Sequence, residues 1–141
     1  MMCRRGRFEM YERTFTLSGA TVQAMVALEC VRAGDPKPEL LESGVRELER
    51  YLGTVREFQG FWFNASDGVL SAVRNHLGRP GIDRQGAHLY LLLQLGRLKR
   101  VAGGKEVSSA KLSTTVAFLV ELHRGLVRDY QEDRWSCRFA A

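Results

Sequence analysis

Three histidines (His76, His88, His123) and three cysteines (Cys3, Cys30, Cys137) carry most of the reactive chemistry in this 141-residue chain. A structural metal site needs converging ligands, usually including a pair close in sequence. No histidine stands within four residues of another histidine or a cysteine, and there is no C-x-x-C pair. No metal is expected, and the histidines read as structural. His123 falls on an apolar helical seam and reads as a satisfied core or interface residue. Cys30 lies on an apolar face and reads as core. Cys3 has Arg4 and Arg5 beside it, which lower a thiol pKa, but it sits at the terminus with nothing around it to build a site. An odd, widely spaced set of cysteines is not a disulfide framework. The chain has no G-x-S-x-G elbow, P-loop or dinucleotide fingerprint. No catalytic residue, cofactor or enzyme activity is expected.

The distribution of charge is the more informative signal. The formal net charge is +5. Residues 1–58 and 106–141 are each balanced, and residues 59–69 carry only Asp67. Residues 70–105 hold Arg74, Arg79, Arg84, Arg97, Lys99, Arg100 and Lys105 against a lone Asp83. A local basic patch concentrates polyanions and is the electrostatic footprint of nucleic-acid binding. These seven cations are the expected contacts to a DNA or RNA backbone, which they would position without reading sequence. The alternative is a solvated face whose acidic partners come from elsewhere in the fold.

The elements that must position these residues are helical. Residues 7–15 alternate imperfectly and suggest a short strand or extended arm. Ser18 then reads as an N-cap, with the first helix ending at Gly34. Asp35-Pro36-Lys37-Pro38-Glu39 is a helix entry, since proline is tolerated in a first turn. The second helix follows a four-three stripe of Leu41, Val45, Leu48, Leu52, Val55, Gln59 and Trp62. Gly44, Gly53 and Gly60 interrupt it and invite another helix to approach closely. Phe61-Trp62-Phe63 cannot all face one way. The stripe already accounts for Trp62, which favours core or subunit interface over base stacking. A third helix spans about 68–77, stopped by Gly78 and Pro80. A fourth starts near Asp83, and its Leu89–Leu95 centre is apolar almost all round, predicting burial on most sides. Ser108 or Ser109 caps a fifth helix with Leu112, Val116, Leu119, His123, Leu126 and Tyr130 on one seam. Residues 135–139 alternate and suggest a strand.

The C-terminal third partly resembles a winged-helix domain of the MarR type. Leu89–Leu95 is similar to its first helix, Val107–Leu112 to the start of its second, and Gly125–Arg128 with Glu132–Phe139 to the exit into the wing. That resemblance implies Ser113, Thr114 and Thr115 near a groove-facing helix and Arg134 in a wing. The stretch from Val107 to Gly125 is too short for two helices and a turn, however, and one continuous helix fits it better. Small helical ribonucleases of the HEPN type place an arginine ahead of a histidine with four to six residues between, and no histidine here has one. Small basic helical subunits of CRISPR effector complexes offer an analogy of architecture alone.

The expectation is therefore one all-α domain over residues 1–141, a bundle of about five helices that allows a short strand or hairpin at a terminus. Its expected role is non-enzymatic nucleic-acid binding, as a small subunit of a ribonucleoprotein assembly or a DNA-binding regulator. The alternative is a helical protein-interaction or adaptor module. The expected partners are nucleic acid and another protein or a second copy, with no membrane. No signal segment is apparent, because Glu9, Glu12 and Arg13 stand where an apolar stretch belongs, so a cytoplasmic location is expected.

Overall fold

The computed structural model describes the backbone of residues 5–59 and 65–139, and the side chains of residues 17–50 and 65–131. Readings that rest on the side chains of Cys3, Leu52, Val55, Gln59, Phe61, Trp62, Phe63, Arg134 and Cys137, or on the surroundings of Gly53 and Gly60, lie outside the described residues. All regular structure among the described residues is helical: α1 (Arg5–Arg32), α2 (Pro38–Gln59), α3 (Asp67–Leu77), α4 (Arg84–Ala102) and α5 (Ser109–Phe139). Among these residues no helix is long and apolar enough to cross a membrane.

The helices close a ring. α1 lies against α2 and α5, α2 reaches α4, α4 meets α3, and α3 returns to α5. α1 and α5 run antiparallel. Ser18 Oγ stands 3.1 Å from His123 Nδ1, and Val31 near the end of α1 shares a groove with Leu112 near the start of α5.

Two expected strands are helix instead. Residues 7–15 belong to α1 and residues 135–139 to α5. Neither Arg7–Leu17 nor Leu126–Phe139 contains a glycine or proline, so a formed helix gains one hydrogen bond for each residue it adds. Ser18 is correspondingly an interior residue of α1 rather than its cap. The continuous α5 also leaves no turn or wing in the region that resembles a winged helix.

Where local chemistry dictates a boundary, the boundary falls as expected. Pro38 opens α2. Ser66 caps α3 by accepting from Val69 N. Gly78 ends α3 in the left-handed region at φ 64°, with its N–H on Arg74 O, a conformation glycine adopts without a Cβ penalty. Asp83 caps α4 by accepting from Gly86 N at 2.8 Å. Ser108 Oγ receives Lys111 N at the start of α5.

Close backbone approaches set the packing. A Cβ at Gly44 of α2 would stand 3.1 Å from Ala20 O and 3.3 Å from Ala24 N of α1, so this glycine does let a helix come close. The α3–α5 crossing is tighter: a Cβ on Gly68 or on Gly125 would overlap the other's carbonyl oxygen. Asp129, one turn beyond Gly125, seals that crossing. Its carboxylate accepts from Gly68 N at 2.9 Å and from the Ser66 hydroxyl. A carboxylate there also meets the positive end of the α3 dipole. The core inside the ring is built on Leu28, Leu41, Leu98, Phe118, Leu119, Leu122 and Leu126, all fully buried. Its internal void is only about 10 Å³, too small for a ligand larger than one water.

Gly68→Ala and Gly125→Ala are each expected to destabilise the fold by about 3 kcal/mol or more, because overpacking here meets backbone rather than a movable side chain. Gly19, also helical, has open space at its Cβ position, and Gly19→Ala is expected to stabilise by up to about 1 kcal/mol. Urea unfolding of the three variants checks both signs.

Candidate functional site on the fourth helix

The seven cations differ in their partners. Four are bound into the fold. Arg74 Nε donates to Ile82 O at 2.7 Å and clamps the α3–α4 connection. Arg84 donates to Ala65 O at 2.9 Å and pairs with Asp67. Arg97 Nη1 lies 3.1 Å from Thr115 Oγ1 and 3.4 Å from Lys111 O. Lys99 Nζ pairs with Glu49 of α2 at 2.9 Å. Arg79, Arg100 and Lys105 are exposed, and their side chains have no carboxylate or carbonyl partner among the described residues. Acidic residues distant in sequence thus meet Arg84 and Lys99, which is how a solvated, internally neutralised face is built.

The group is also divided in space. Arg84 opens α4 and Arg100 nearly closes it, about 24 Å away along the axis at 1.5 Å per residue. Between them the helix presents leucine to solvent: Leu89 is 58%, Leu92 38% and Leu93 57% exposed. This corrects the expectation of an α4 centre buried on most sides. Leu91, Leu95 and Leu98 face inward with Ala87, His88 and Gln94, while on the opposite face Leu89, Leu92 and Leu93 stay exposed. Leu89, Leu92 and Leu93 stand at i, i+3 and i+4 and form one apolar stripe. Gly96, one turn further, is exposed with nothing near its Cβ position.

A polar chain that composition hides runs beneath this helix. Gln94, almost wholly buried, donates from Nε2 to Tyr90 Oη at 2.7 Å, and its Oε1 lies 2.9 Å from Thr115 Oγ1. The Thr115 hydroxyl also stands 3.0 Å from Lys111 O, so one proton serves two acceptors, while Arg97 donates to its oxygen. Tyr90 leads on to a cluster of rings, with Phe118 at 5.2 Å and His76 at 5.7 Å between centroids. Gln94 and Asp129 were missed in the sequence, and Thr115, which the winged-helix resemblance set near a groove-facing helix, is buried. The signal was present: each is a polar residue at an inward helical position.

The histidines serve packing. His76 sits against Tyr90 and Phe118; burial lowers its pKa, and the Glu121 carboxylate opposes that shift. His88 is buried in α4. His123 Nδ1 stands 3.1 Å from Ser18 Oγ, a contact that ties α5 to α1. Among the described residues no three His, Cys, Asp or Glu side chains converge as a metal site. Cys30 is half-buried and free.

Thr115→Val is expected to cost about 1–3 kcal/mol, because it takes the donor from a buried Gln94 carbonyl. In a Gln94→Leu background the same change should cost less than half as much. Equal costs in both backgrounds, read from urea unfolding, would show that the two groups are not coupled. Comparison of the chain with protein-family models, with curated proteins and with solved structures finds no match to any of them.

Proposed function

We propose that this chain is a non-enzymatic helical module that acts by association through the outer face of α4. The observation that carries this reading is the exposed stripe Leu89, Leu92 and Leu93. Scattered surface leucines need no explanation, but contiguous apolar surface rimmed by polar groups marks interaction sites. Here the rim is polar at both ends, with Gln85 before the stripe and Lys99 and Arg100 after it.

A second reading rests on Arg79, Arg100 and Lys105, the three of the seven cations whose side chains have no carboxylate or carbonyl partner among the described residues. They suit contact with a DNA or RNA backbone inside a larger assembly. With three contacts in place of seven, the logarithm of affinity for duplex DNA would fall against the logarithm of salt with a slope of about −3, not about −6. The association reading is preferred because Arg74, Arg84 and Arg97 already satisfy carbonyl or hydroxyl oxygens within the chain.

Fluorescence anisotropy with labelled single- and double-stranded DNA and RNA, at low and physiological salt, separates the two. Association through α4 predicts no binding tighter than about 10 µM at physiological salt, within the ordinary non-specific range. It also predicts little response to Arg79→Ala, Arg100→Ala and Lys105→Ala together. Submicromolar, salt-steep binding that the triple change removes would overturn it in favour of the backbone-binding reading.

A further inference from the structure

We propose that the partner on α4 is a second copy of this chain, with the two α4 helices packed antiparallel about a two-fold axis near residues 92 and 93. This rests on the reading of α4 as an association face and adds the occupant and the register.

The stripe can pair with itself in that arrangement. A two-fold axis between positions 92 and 93 sets Leu89 of each copy opposite Gly96 of the other, and Leu92 opposite Leu93. Gly96 has open space where a Cβ would stand, so it forms a gap on the helix surface that a leucine side chain can fill. Leu89, at 58% exposure, is the most exposed large hydrophobic residue among the described residues. Self-complementary contact of this kind is the isologous interface of a two-fold dimer. It seats a ridge of one helix in a groove of the other.

Charge selects the direction. A parallel pair would set Arg100 beside Arg100 and Lys99 beside Lys99. The antiparallel pair separates the two copies of Arg100 by about 22 Å along the axis, well beyond the screening length of about 8 Å at physiological salt. It also brings Arg100 opposite Gln85 of the other copy, within a long side chain's reach of Asp83. Asp83 is exposed and caps α4 through Gly86 N, and among the described residues no basic side chain pairs with it. Each copy thus offers, among the described residues, a cation without an acidic partner at one end of the stripe and a capping carboxylate without a basic partner at the other. Lys99 stays on Glu49 of its own chain.

The test is sedimentation velocity on the full chain from about 1 to 200 µM, a range that spans micromolar dissociation constants. The expected result is a shift from the 15.9 kDa monomer to a dimer as concentration rises. Leu89→Glu with Leu93→Glu is expected to remain monomeric throughout with unchanged helical circular dichroism. Gly96→Leu is expected to weaken the dimer at least ten-fold while leaving the fold intact, since it fills the gap that Leu89 enters. A tighter dimer in Gly96→Leu would mean that the glycines face one another, and would overturn the antiparallel register. A wild-type chain that stays monomeric, or a dimer indifferent to the leucine changes, would overturn the pairing while leaving α4 exposed. Loss of helix in the Leu89→Glu, Leu93→Glu variant would overturn the exposure of α4 itself, and with it both readings.

Discussion

The crossing of α3 over α5 at Gly68 and Gly125 is the contact on which the rest of the structure depends. With no side chain on either residue, the two backbones touch, and the helices cannot slide or rotate without collision. Asp129 locks the crossing by accepting from Gly68 N and Ser66 at the first turn of α3. A buried carboxylate without such donors is costly, so this arrangement fixes where α3 begins. The far end of α3 then brings His76 against Tyr90 of α4 and Phe118 of α5. That contact sets the rotation of α4. With Tyr90, Leu91 and Gln94 turned towards the core, helical geometry turns Leu89, Leu92 and Leu93 to the outside.

The same framework explains the local excess of positive charge. Arg74 and Arg84 donate to the carbonyls of Ile82 and Ala65, in the connections on either side of α3. Loop carbonyls have no helical partner and need donors from elsewhere, and an arginine fork reaches them across a helix. Arg97 performs a similar task on α5, ending the chain of polar groups that starts at Tyr90. The exposed pairs, Lys99 with Glu49 and Arg84 with Asp67, each add little, as surface ion pairs do. Part of the basic segment thus serves the fold, and the leucine stripe is a feature that those needs do not explain.

The sequence revealed most where a single residue decides the local backbone. Pro38, Ser66, Gly78, Asp83 and Ser108 mark helix ends because each meets a need that no neighbour can meet. It was less informative over residues 7–15 and 135–139, where alternation mimicked strands although nothing prevented the helix from continuing. The seven cations were visible as a run, but their division between structural and free groups was not. That division depends on Glu49, Asp67 and Thr115, which come near only through packing. Likewise, the pairing of Gly68 with Gly125 joins residues far apart in sequence, and no local pattern announces it. The Leu89–Leu95 run showed an apolar helix but not which side would lack a neighbour, because the ring order of the helices decides that.

α4 carries an inner leucine face that packs and an outer leucine face that, in the reading proposed above, associates. Hydroxyl-radical footprinting read by mass spectrometry tests it most directly, with Leu91, Leu95 and Leu98 as internal references on the same helix. The account predicts that at low concentration Leu89, Leu92 and Leu93 are oxidised much faster than those references, and that Leu89 and Leu93 become protected as concentration rises. Equal protection of both sets at low concentration would mean that the chain itself covers the outer face, and would contradict the account.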